Sequence, residues 1–134
     1  MIKPIALFLA AAALGSATPR EETVTPAFSQ PISNIPGKVM IAVKIDYSPG
    51  GASPSHRHPK SAFIFAYVLS GEIRSAVDGA PPRIFRPGES WSESPGAHHT
   101  VSENASKTKP AQLLAVFVVD AGEKQLVYPD KTGQ

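Results

Sequence analysis

The chain has 134 residues, no cysteine and a formal charge of +2. It therefore has no disulfide framework, no thiol nucleophile and no cysteine for a lipoprotein anchor. No Lys/Arg stripe suggests nucleic acid, and no Gly-rich phosphate loop, Ser-His-Asp arrangement or heptad pattern is present.

Lys3 precedes an apolar run from Ile5 to Leu14, and Gly15-Ser16-Ala17 then offers small residues to a signal peptidase. Residues 1–17 are expected to be a signal peptide cleaved after Ala17, the run being too short to span a bilayer comfortably. The mature protein would then be periplasmic or secreted, with no membrane attachment after cleavage. Residues 18–37 hold Pro19, Pro26, Pro31, Pro36 and Gly37 and are expected to form an extended N-terminal arm.

From Val39 to Tyr47 apolar residues alternate with others, the period of a half-buried strand. Ser48 to Pro54 is built of turn residues. Ala62 to Leu69 is a nearly continuous apolar run, short and rich in aromatic residues, expected to be a buried strand. A strand at Glu72–Val77 leads into Asp78-Gly79, a strong hairpin signal. Short strands are predicted at 83–85, 90–93, 99–102, 113–119 and 125–128. Many short strands without a helical pattern predict an all-β sandwich or barrel over residues 38–128, with a tail at 129–134.

All four histidines fall in two clusters, His56-Arg57-His58 and His98-His99. In an extended strand His56 and His58 project from one face, and a third imidazole from a distant strand would make a divalent-metal site. The bland alternative makes His56 and His58 loop polars and His99 a hydrogen-bonded core residue. His98 and Arg57 should face away from the ligands. The aromatic residues, Trp91 included, are expected to be core or sheet-face packing.

The spacing resembles the two motifs of the cupins, the small jelly-roll (double-stranded β-helix) barrels. Gly50, His56, His58 and Gly71 stand where the first motif needs them. Gly88, Gly96 and His99 follow the second, with Ser94 in place of its first proline and Asn104 one position late. The resemblance implies that His56, His58 and His99 bind a divalent transition metal such as Fe(II), Mn(II) or Zn(II). The first motif's glutamate is missing: counting from either flank lands on Ala62, Phe63 or Ile64. Glu93 stands just before the second motif's first proline position, which the resemblance implies is inward-facing. Its role is either a substitute ligand or acid/base beside the metal, or else a solvated rim carboxylate. The family implies a dioxygenase, lyase or isomerase acting on a small chelating substrate. Its alternative is a non-catalytic module binding a small molecule or sugar, and a homodimer is a further family expectation.

Overall fold

The computed structural model describes residues 21–131, so the expected signal peptide and the start of the arm lie outside the described residues. Every regular element among those residues is a strand. The strands are β1 (Glu22–Pro31), β2 (Lys38–Tyr47), β3 (Ala52–Ser53), β4 (His56–Arg57), β5 (Phe63–Ser70) and β6 (Ile73–Val77). They continue as β7 (Arg83–Phe85), β8 (Ser90–Glu93), β9 (His98–Asn104), β10 (Ala111–Asp120) and β11 (Tyr128–Pro129). One sheet has the order β1-β2-β10-β5-β8 and the other β11-β4-β9-β6-β7, with β3 added beside β9. All pairings are antiparallel, the jelly-roll arrangement of two sheets around one core.

The alternation in β2 and β10 explains the core. Val43 and Tyr47 on one strand, and Leu113, Ala115, Phe117 and Val119 on the other, turn inward. They meet Ile64, Ala66 and Val68 of β5 and, from the opposite sheet, Ile73 and Phe85. Asp78 and Gly79, at φ 51° and 77°, make the tight turn that joins β6 to β7.

Three expectations change. Residues 22–31 of the arm are hydrogen-bonded along β2 as the edge strand of the first sheet. Pro26 and Pro31 are tolerated because an edge strand has one row of amides facing away from the ladder. The apolar run in β5 is buried on one face only, with Phe63 and Phe65 48% and 42% exposed. An antiparallel sheet commonly covers its inner face alone, so a continuous apolar run did not require two buried faces. Finally, pairing does not stop at residue 128, because Pro129 sits opposite His56 in β11.

A bulge in β9 matters for the site. Ala76 pairs with Val101 and Val77 with His99, so Thr100 is an extra residue. The extra residue resets the side-chain alternation, and His99, Ser102 and Asn104 are all buried. It also accounts for Asn104 standing one position late. That side chain is structural: it donates to the Ser48 and Lys109 carbonyls and accepts from the Ser106 amide.

Candidate metal centre

Antiparallel pairing sets His56 of β4 directly against His99 of β9, and His58 follows on the same face. All three imidazoles are buried, and each offers one ring nitrogen within 4.8 Å of the others. His56 Nδ1 lies 2.6 Å from the Pro54 carbonyl, and His58 Nδ1 2.8 Å from the Leu126 carbonyl. A carbonyl oxygen only accepts, so both protons sit on Nδ1 and both Nε2 lone pairs are free. Those two Nε2 atoms face each other at 3.2 Å. His99 Nε2 lies 2.8 Å from Ser75 Oγ, a hydroxyl that can donate or accept, and its Nδ1 lies 3.5 Å from Glu93 Oε1.

Glu93 is drawn in from β8, where it pairs across the sheet with Ile64. It is 3% exposed, so it is not a solvated rim carboxylate. Trp91 Nε1 donates to its Oε2 at 3.2 Å. Its Oε1 has no hydrogen bond, yet lies 3.3 Å from His58 Nε2 and 3.5 Å from His99 Nδ1. Ring nitrogens of three imidazoles and one carboxylate oxygen without a hydrogen bond thus converge, a donor set of the kind that holds a cation. Two donors about 2.1 Å from one ion stand about 3.0–3.4 Å apart, close to the 3.2 Å between His56 and His58 and the 3.3 Å between His58 and Glu93, while the three imidazole nitrogens lie within 4.8 Å of one another. The residues fit a metal.

Burial pushes the His99 imidazole down to about 4, with Glu93 opposing and the other two imidazoles adding to the fall. His56 is lowered for the same leading reason. Burial alone would raise the Glu93 carboxyl. The His58 ring, the His99 and His58 charges and the Trp91 N–H outweigh burial and hold it below its ordinary value. Burial thus biases His56 and His99 towards the neutral form, and its surroundings bias Glu93 towards the ionised one, the forms in which such groups ligate a metal.

The cluster forms one wall of a cavity of about 230 Å³. Ile45, Leu113, Ala115 and Phe117 supply its apolar wall, and exposed Val24 and Val127 stand where it opens. Trp91, expected to be packing, stacks on Phe85 with ring centroids 4.6 Å apart but also lines the cavity and holds Glu93. His98 faces outward as expected, its Nε2 2.9 Å from Asp130 Oδ2, and Arg57 Nη2 reaches His98 Nδ1 at 3.4 Å. Sequence reasoning missed Ser75 and the Leu126 carbonyl. It also missed a hydroxyl chain formed by Tyr47, Ser53 and Ser102 beside Glu22, because no motif joins residues that meet only in the folded sheets.

A family model described as a cupin domain matches residues 43–117, and the chain belongs to the cupin family. It is 32% identical over 78 residues to germin-like protein subfamily 2 member 4 of Arabidopsis thaliana, covering 55% of this chain and 34% of that protein. It is 30% identical over 78 residues to the cupin-domain-containing oxidoreductase fogC of Aspergillus ruber (strain CBS 135680), covering 58% and 37%. The matched regions thus span roughly a third of those relatives' length. A solved structure of recombinant oxalate oxidase in complex with glycolate superposes with a TM-score of 0.60 at 25% identity. That match covers 84% of this chain and 57% of the other.

Proposed function

We propose that this protein is an exported, mononuclear metal-dependent cupin oxidoreductase acting on a small chelating substrate. The observation that carries the proposal is the unpartnered, buried Glu93 Oε1 set among three imidazole nitrogens at the wall of an apolar cavity. His56, His58 and His99 are the ligands, and Glu93 is the fourth donor at the reacting centre. The carboxylate absent from β5 is supplied by the residue paired with Ile64 across the sheet. Two relatives support the reaction class, one named an oxidoreductase and the other an oxalate oxidase.

When bound, a divalent iron or manganese ion would supply Lewis-acid polarisation of a chelated oxygen and electron exchange with O₂. The chain's own residues do the rest. The Pro54 and Leu126 carbonyls fix the tautomer and direction of His56 and His58, and Ser75 orients His99. Trp91 holds one oxygen of Glu93, so that the other stays turned to the centre. The apolar walls exclude water and strengthen charge interactions inside the cavity.

Substrate-dependent O₂ uptake by the mature iron- or manganese-loaded protein tests the reading. His56→Ala is expected to abolish turnover, and Glu93→Gln to lower it by about 10²-fold or more, as loss of a ligand or charged catalytic group does. Unchanged uptake in either variant would contradict the assigned roles. Export is tested by N-terminal sequencing of the mature protein from its native compartment: a start at Thr18 is expected, and a retained Met1 is the opposing result.

A further inference from the structure

The cavity carries a second polar group, away from the histidines. Tyr47 Oη lies 2.8 Å from Ser102 Oγ and 2.6 Å from Ser53 Oγ, and Ser53 Oγ donates to the Glu22 carboxylate. All four side chains line the cavity. An ionised carboxylate only accepts, which fixes the direction of the chain. Ser53 donates to Glu22, Tyr47 donates to Ser53, and Ser102 donates to Tyr47. Every proton is then used within the chain, and the free lone pairs are what remain for a ligand. No lysine or arginine lines the cavity among the described residues, and its other carboxylate is Glu93.

We infer that this chain is the substrate's second binding point, and that it selects a hydrogen-bond donor, a hydroxyl or an amine, over a carboxylate. The inference rests on the metal reading above and names the class of substrate that the same cavity takes. The substrate is a small molecule with a chelating head at the histidines, a short apolar middle and a donor group at the tail. A dicarboxylate would set its second charge against Glu22, with no cation nearby to offset the cost of desolvation. Ser102 lies three residues beyond His99 on β9, roughly 7–10 Å along the bulged strand. A five-carbon 2-oxo acid with a terminal hydroxyl has about that reach between its two binding groups, adding about 2.1 Å for a metal contact and about 2.8 Å for a hydrogen bond.

The test compares three acids with one head: 5-hydroxy-2-oxopentanoate, 2-oxopentanoate and 2-oxoglutarate. Each is titrated into the zinc-loaded protein, where no turnover consumes it, and into the metal-free protein. Trp91 is the single tryptophan and lines the cavity, so its fluorescence reports binding directly. The hydroxy acid is expected to bind about 10-fold or more tightly than 2-oxoglutarate, as one hydrogen bond to a charge-backed acceptor implies, with 2-oxopentanoate between them. Glu22→Gln should reduce that preference to about 3-fold or less while sparing 2-oxopentanoate. Ser53→Ala interrupts the chain from a different strand, and the same loss there separates recognition from loosening of β1. Equal or tighter binding of 2-oxoglutarate overturns the inference, as does equal weakening of all three acids in both variants. Failure of the metal reading is seen separately, as absence of bound zinc, and the rank order in the metal-free protein then decides. No binding of the hydroxy acid in either state also overturns it.

Discussion

The chemistry of this chain is concentrated in four buried side chains, His56, His58, Glu93 and His99. His99 is held at about 4, mainly by burial, whereas a histidine in the unfolded chain titrates near ~6.5. Between those values the unfolded chain binds a proton that the folded chain refuses. The stability of the metal-free protein is therefore complete above about 6.5 and is lost as pH falls towards 4, by about 3 kcal/mol from His99 alone. Lowered His56 acts in the same direction, and lowered Glu93 adds to the loss below its unfolded value. Urea unfolding at several pH values checks this, and a flat profile down to about pH 4.5 would contradict burial of neutral imidazoles. The three-histidine cluster was legible because His-x-His has a strand's period and the motif spacing is specific. Glu93 was legible as inward-facing, but its role stayed open. Only the folded sheets bring the Trp91 N–H to one of its oxygens and leave the other unpartnered.

Elements decide which residues can meet. Of the three positions that counting offers for the first motif's glutamate, Ile64 is the one in β5 that is buried, and β5–β8 pairing places Glu93 opposite it. Register between strands is invisible in a count along one strand, so the sequence could offer Glu93 as a substitute without placing it opposite Ile64. The bulge at Thr100 had a similar effect. Strict alternation from His99 would turn Ser102 outward, whereas one extra residue brings it in beside Tyr47. The one-sided burial of β5 gives a direct prediction. Ile64→Ala should cost about 2–5 kcal/mol, while Phe65→Ala, on the exposed face, should cost under about 1 kcal/mol. Chemical denaturation of both variants measures the difference, and equal costs would mean that the outer face is also packed.

The whole molecule is a barrel whose cavity is completed by its two ends, β1 at one side and the segment from Leu126 to Pro129 at the other. The barrel itself was legible from short, evenly spaced strands. The part played by the ends was not, because proline-rich residues in β1 and the short C-terminal strand have weak strand signals of their own. His58 Nδ1 lies 2.8 Å from the Leu126 carbonyl, so the C-terminal segment helps to orient that ring. A metal at about 100 times its dissociation constant should stabilise the fold by about 2.7 kcal/mol. For a domain of this size that raises Tm by about 11 °C, and a chelator should reverse the rise. Scanning calorimetry with and without metal reads this, and an unchanged Tm would argue against a site built into the fold. The most direct test is elemental mass spectrometry of the mature protein purified from its native compartment, beside His56→Ala and Glu93→Gln. About one transition-metal ion per chain is expected, absent from the first variant and reduced in the second. A native protein without metal under conditions that keep labile ions, or full metal retention in His56→Ala, would contradict the centre described.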